Sequence, residues 1–265
     1  MIKPDFRIKR NLKAMKIVFF YYCLILCSIT AMSQEKKDYI KISQELLYAV
    51  KTDKPADSLL QCMAEVLPGD LLGQLKSDSE KKAFWLNIYN AYTQIGLKQN
   101  PEAYHKRNLF FSHRFIDIAG KKLSLDLIEH GILRRSKWKY SLGYANKLFL
   151  STFEKKFRVN KLDYRIHFAL NCGAKSCPPI AFYQSEQIDR QLDIAEKTYL
   201  KSETLFNGKN LTVDVPAILS WFRADFGGKK GIIGLLQKLN IVPENVKPEI
   251  NWKKYDWSLL PKAFE

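Results

Sequence analysis

The sequence predicts an α+β protein, a helix-rich single domain around a small, mainly antiparallel sheet. Three observations predict it. The longest periodic stretches are helical, and the strand-like stretches are short and bounded by turn residues. No strand–helix–strand regularity of a parallel sheet runs through the chain.

Taken in order, Asp38 to Met63 places Tyr39, Ile42, Leu46, Leu47 and Val50 at helical spacing. Lys81 to Leu97, KKAFWLNIYNAYTQIGL, is the strongest helix and is apolar nearly all round, which predicts burial. Its polar residues Asn87, Asn90 and Gln94 therefore need partners. Arg114 to Ala119 reads as a strand that turns at Gly120 into Leu123. Ser124 offers an N-cap for a helix over Leu125 to Arg135. Asp163 to Asn171 reads as a second strand, with Arg165, His167 and Asn171 on one face and Ile166, Phe168 and Cys172 on the other. Helical spacing returns at Glu186 to Leu200. A short strand comes next at Asn210 to Val215, then helices from Pro216 through Phe222 and from Gly231 to Leu239.

Ahead of all this, Lys3, Arg7, Lys9, Arg10, Lys13 and Lys16 precede an apolar run from Ile17 to Met32 that ends Ala31-Met32-Ser33. A basic start, a short apolar run and small residues at its end are the marks of a secretory signal peptide over 1–33. Met15 is an alternative start, because the stretch after it is already a complete leader. The run is short of the roughly 20 residues a spanning helix needs. The expectation is an exported chain, periplasmic or extracellular, with 34–265 as one globular domain. It has no permanent membrane anchor if the leader is cleaved, and is membrane-anchored if the leader is retained.

The whole chain carries 43 Lys+Arg against 27 Asp+Glu. Losing six basic residues and one acidic residue with the leader leaves a net charge near +11, spread along the chain. Such a balance favours anionic surfaces such as phosphate-rich polymers or lipid headgroups. Its simplest reading is a solvated basic surface, and no nucleic-acid partner is expected. Cys23 and Cys27 leave with the leader, so Cys62, Cys172 and Cys177 remain. Three thiols in an oxidising compartment allow one disulfide and leave one over.

The chemistry concentrates in RIHFALNCGAKSCPPI, residues 165–180. Four readings are open: a Cys172–Cys177 disulfide closing a small loop; two buried and inert thiols; a zinc site of His167, Cys172 and Cys177 that lacks an obvious fourth ligand; and thiol chemistry. Lys175 between the cysteines favours a thiolate. A cysteine nucleophile needs a base in reach and a third group to orient that base. His167 is the nearest imidazole. His130 is its rival, beside Glu129 on the LIEHGILRR helix, where adjacent residues point about 100° apart and at most one faces a given site squarely. The amides of Asn87 and Asn90 have two uses, as core groups bonding loop backbone or as donors to a substrate carbonyl.

AFWLNIYNAYT (83–93), LSLDLIEHGILR (123–134), YRIHFALNCGAKSCPPI (164–180), WFRADFGG (221–228) and YDWSL (255–259) together resemble the domain-of-unknown-function 547 family. Their order and spacing match over roughly 60–260. The positions matching its motif residues are Asn87, Asn90, Glu129, His130, Arg134, His167, Asn171, Cys172, Ser176 and Cys177. Tyr164 departs from it, standing where a proline is expected before Arg-Ile-His. The family has no settled activity to carry over; some of its members are joined to glutaredoxin-like domains, which implies thiol-dependent work.

Together these residues point to a cysteine-centred site without cofactor or metal. Cys172 or Cys177 is the nucleophile, with Cys172 preferred because it sits beside Gly173. His167 is base or orienter, and Glu129 or His130 its support. Asn87, Asn90, Asn171, Ser176 and Arg134 hold backbone or substrate. The expected reaction is acyl transfer or hydrolysis of a peptide-like, envelope-borne substrate. Two other classes stand beside it: a thiol–disulfide redox protein cycling Cys172 and Cys177, and a non-catalytic envelope-binding domain with a structural disulfide.

Overall fold

The computed structural model describes residues 37–264, so the leader expected at 1–33 lies outside the described residues. The chain divides into two units, 1–37 and 38–265, and all the described helices and strands lie in the second. Its helices are α1 (Tyr39–Lys51), α2 (Asp57–Glu65), α3 (Pro68–Gln74), α4 (Asp78–Gln99), α5 (Arg107–Ser112), α6 (Thr152–Phe157), α7 (Ile188–Glu203), α8 (Ile218–Trp221) and α9 (Gly228–Lys238). Its strands are β1 (Ile116–Ile118), β2 (Lys121–Leu123), β3 (Leu205–Asn207), β4 (Thr212–Val215) and β5 (Glu249–Trp252). The expected helix-rich α+β class is what forms.

α4 is the central post. Ser77 and Glu80 form a capping box at its start, with the Ser77 N–H donating to Glu80 Oε2 at 2.7 Å and the Glu80 N–H to Ser77 Oγ at 3.2 Å. From Lys81 to Gln94 every residue is buried. Trp85 packs edge-on against Phe84 and Phe157, and α1 runs alongside. The amides predicted to need partners find backbone. Asn87 donates to Tyr183 O at 2.9 Å and to Ser43 Oγ at 3.2 Å, and accepts from Tyr183 N at 2.9 Å. Asn90 donates to Ala169 O at 3.0 Å and accepts from Asn171 N at 2.9 Å. Each asparagine thus ties an otherwise irregular chain to the post, which is how buried loop backbone is satisfied.

The sheets are small. β1, the strand that the sequence pattern predicts, pairs antiparallel with β2 around a left-handed Ala119-Gly120 turn, with Ile116 opposite Leu123. In the second sheet β4 lies between β3 and β5, antiparallel to the first and parallel to the second. A second core of Leu200, Val213, Val215, Leu219, Ile232 and Leu236 gathers over this sheet.

One expectation is overturned. Asp163–Asn171 is no strand: Tyr164–Phe168 winds into a 3-10 turn. Asp163 caps it, accepting from Arg165 N at 3.1 Å, and Arg165 locks it with Nη2 at 2.7 Å from Asp163 and 2.6 Å from Asp189 on α7. Lys82 of α4 adds a 2.7 Å bond to Asp163. Ile166, Phe168, Ala169 and Leu170 are all buried, so a short apolar run hid a helical turn inside a strand-like pattern. The opposite-face placement of His167 and Cys172 falls with the strand.

Replacing Asn90 by Ala strands two buried backbone groups at about 1–3 kcal/mol each. Urea unfolding is expected to show Asn90→Ala less stable than the parent by about 2–4 kcal/mol. The exposed Leu109→Ala on α5 should stay within about 0.5 kcal/mol.

Candidate functional site

The segment after β2 begins as predicted, with Leu127 N donating to Ser124 Oγ at 3.2 Å. From Leu127 to Leu133 it then widens into a π-helix, in which Arg134 N reaches back five residues to Glu129 O at 2.8 Å. Each residue of this wider coil turns through a smaller angle than in an α-helix. Glu129 and His130 therefore both reach the same cavity, together with Asp126, against the expectation that only one could.

That cavity holds about 410 Å³, within the range of small-molecule sites. Its polar lining includes Asp126, Glu129, His130 and His167 beside the cations Arg107 and Lys139; Cys172 also lines it, and Tyr89, Trp221, Phe222, Tyr255 and Trp257 make it aromatic.

Beneath it lies a buried charge network. Asp225 Oδ2 accepts from Arg134 Nε at 2.7 Å and meets His167 Nε2 at 2.9 Å, with all three side chains essentially without exposure. Arg134 also points Nη1 at His130 Nδ1, 3.0 Å away. A guanidinium can only donate, so His130 Nδ1 accepts and the ring proton sits on Nε2, 3.7 Å from Asp126 Oδ1. His167 stacks on Phe222 with ring centres 3.9 Å apart, and the Arg134 guanidinium lies 4.5 Å from the same ring.

Burial sets the protonation states. It lifts the Glu129 carboxyl to about 7; the Arg134 charge opposes this and Asp126 reinforces it. Burial presses His167 down to about 4, against the upward pull of its bond to Asp225. His130 lies well below the ordinary imidazole range, through burial and then the charge of Arg134. Burial pushes Asp225 up, but the hydrogen bonds from His167 and Arg134 outweigh it and hold the carboxylate ionised. At neutral pH both rings are neutral. His167 then donates from Nε2 to Asp225, and its buried Nδ1 has no partner.

Of the four readings of the thiol segment, the structure holds the disulfide: Cys172 and Cys177 are joined. Neither nitrogen of His167 bonds a sulfur. The Tyr255 hydroxyl does, 3.2 Å from Cys172 Sγ and 3.1 Å from Cys177 Sγ. The tail that carries Tyr255 pairs with the loop, Lys175 N donating to Ser258 O at 2.8 Å and Leu260 N to Gly173 O at 2.8 Å. Gly173 takes φ +85°, and a Cβ there would press on Leu97.

Glu129, His130, His167 and Cys172 come together at the cavity; Cys177 is bonded to Cys172 without lining it. Arg134 lies beneath, holding Asp225. Asn87 and Asn90 bond backbone from α4, and Asn171 does the same within its loop, donating to Pro178 O at 2.7 Å and accepting from Gly173 N at 2.9 Å. Ser176 Oγ accepts from Asp256 N at 2.9 Å and fastens the tail. Sequence reasoning misses Asp225 and Tyr255 as site residues. Their signal is present, since each lies in a segment that carries the family resemblance.

An α+β domain with an aromatic cavity over a buried Arg–Asp–His network, walled on one side by a disulfide loop, is the class of protein that fold and site define. Residues 72–200 match the family model described as Protein of unknown function, DUF547, a narrower span than the resemblance suggested. Asp225 and Tyr255 lie beyond that span. No curated protein and no solved structure matches the chain.

The pKa directions fix a pH signature. The folded chain keeps a proton on Glu129 that the unfolded chain releases, so this group's stabilisation is full below about 4.5 and is lost as pH rises through about 7. His167 works the other way, since the unfolded chain takes up a proton that the fold refuses. Its contribution is full above about 6.5 and is lost as pH falls to about 4. The two slopes oppose each other between about 4.5 and 6.5. In Glu129→Gln the rising slopes of His167 and His130 lose this opposing carboxyl, and thermal unfolding should show stability rising with pH across that window more steeply than in the parent. Asp225→Asn leaves the Arg134 charge buried and unpaired, and should destabilise by about 3–5 kcal/mol.

Proposed function

We propose that this chain is a thiol-dependent hydrolase of peptide-like amide bonds, with Cys172 as its nucleophile once the Cys172–Cys177 disulfide has been opened. The observation that supports this reading is the placement of His167. One ring nitrogen is held by a buried carboxylate and the other is buried without a partner, and the residue lines a cavity that Cys172 also lines. An oriented base near a sulfur is what nucleophilic catalysis requires.

Opening needs a reductant, here a small dithiol: its two sulfurs join as Cys172 and Cys177 take up two protons and two electrons. The Cys172 thiol then gives its proton to His167 Nδ1, and Asp225 steadies the imidazolium. The thiolate attacks the amide carbon. The Glu129 carboxyl, protonated up to about pH 7, offers a hydrogen bond to the oxyanion. Collapse expels the amine, which leaves with the proton from His167. Water, giving a proton to the same nitrogen, then splits the thioester and restores the thiol. Export through the leader at 1–33 belongs to this proposal and would keep the disulfide closed until a reductant meets it.

Thiol–disulfide exchange is the second reading, favoured by the Tyr255 hydroxyl at 3.1–3.2 Å from both sulfurs. Burial raises the Tyr255 pKa, so the phenol keeps its proton and can bond a departing thiolate.

Iodoacetamide labelling of the reduced chain at pH 7, read by peptide mass spectrometry, tests the proposal. Cys172 is expected to react at least tenfold faster than Cys62, and His167→Asn to remove that advantage. Equal rates at Cys62, Cys172 and Cys177 overturn the hydrolase. Catalytic turnover of insulin disulfides that survives His167→Asn selects the exchange reading instead.

A further inference from the structure

From the end of the π-helix into α6 the chain runs R-S-K-W-K-Y-S-L-G-Y-A-N-K-L-F-L-S-T-F-E-K-K, residues 135–156, of which 152–156 are the first residues of α6. It holds six basic residues and one acidic residue, Glu154, which is buried and paired with Lys147 at 3.1 Å. Lys139 is likewise paired, with Asp126 at 2.9 Å. Arg135, Lys137, Lys155 and Lys156 have no ion pair among the described residues.

The loop also exposes large apolar side chains together. Leu148 is 90% and Phe149 92% exposed, and Trp138, Tyr140 and Tyr144 are 52%, 69% and 65% exposed. This presentation is built. Trp138 N bonds Ala145 O at 3.0 Å and Lys147 N bonds Ser136 O at 2.8 Å, which closes the base of the loop. Gly143, at φ +88°, lets it settle on the buried network, because a Cβ there would overlap Asp225 Oδ1.

From these residues we infer that the 135–156 loop docks the protein onto an anionic membrane surface. Tryptophan and tyrosine favour the headgroup level, an adjacent Leu-Phe pair inserts below it, and unpaired cations flank the patch to meet lipid phosphates. Leu148 and Phe149 carry no polar group for a nucleic acid, and the cations oppose the burial that a second copy of the same patch would impose. Lys139, Tyr140 and Leu142 also line the cavity, so docking sets its mouth at the lipid surface. The inference is independent of the chemistry proposed for the cavity.

Hydrogen-exchange mass spectrometry on the full chain tests it locally, whatever the N-terminal apolar stretch binds. With phosphatidylglycerol vesicles, amide exchange across 136–150 is expected to slow at least tenfold, and with phosphatidylcholine vesicles to stay unchanged. Leu148→Asp/Phe149→Asp and, separately, Lys155→Glu/Lys156→Glu should abolish the protection while near-ultraviolet circular dichroism stays that of the parent. Unchanged exchange in 136–150 on vesicles that retain the chain overturns the inference. So does equal protection by phosphatidylcholine, by a single-stranded oligonucleotide, or by raising protein concentration without lipid.

Discussion

The Arg134–Asp225 ion pair is the constraint on which the rest of the site depends. A guanidinium without exposure is tolerated only against a carboxylate in contact, and here the contact is 2.7 Å. That bond joins two segments 91 residues apart, and the same carboxylate oxygen reaches His167 in a third. Three irregular stretches thus converge on one atom: the end of a π-helix, a 3-10 turn and the turn between α8 and α9. Regular elements would not bring their side chains to a point in this way. The long π-helix matters here, because its wider winding lets Asp126, Glu129 and His130 share the cavity while Arg134 drops beneath it.

The disulfide loop depends on a different frame. Its start hangs from Asn90, its end from Asn171 through Pro178, and its outer edge pairs with residues 256–260 of the tail. The sulfurs therefore sit between the central helix and the chain's last residues, with Tyr255 as their polar neighbour. Reduction of such a pair leaves the loop's backbone ties in place, because none of them runs through a sulfur except the Cys172 N–H, which donates to Cys177 Sγ at 3.0 Å. Opening and closing would be a local event.

Much of this was legible in the sequence where periodicity was long or turn chemistry explicit. The central helix, the strand that becomes β1 and the Ser124 cap all stand where their residues place them. Failure came where a short apolar run, Ile166 to Leu170, was buried on all sides, since burial erases the difference between periods of two and three. The Asp163–Arg165 pair, which decides for the 3-10 turn, was visible as residues but not as a contact. At the site, the imidazoles, Glu129 and the cysteines were legible because their chemistry is local to the segment. Asp225 and Tyr255 were not, because each serves partners more than 50 residues away. The family resemblance marks the WFRADFGG stretch, but the role of its carboxylate is set only by the contact with Arg134.

Stability alone gives no reason for the buried network. Replacing buried ion-paired groups by well-packed apolar ones of similar volume is often neutral or stabilising. This network is worse than neutral in that respect, since Arg134 Nη2, His167 Nδ1 and Asp225 Oδ1 are all buried without partners. What it does secure is orientation. Arg134 fixes the Asp225 carboxylate, Asp225 fixes the His167 ring through Nε2, Phe222 fixes its plane, and Nδ1 is left as the acceptor. The same guanidinium sets the His130 tautomer. One buried cation therefore decides the proton positions on both imidazoles of the cavity, an ordering that packing alone does not require.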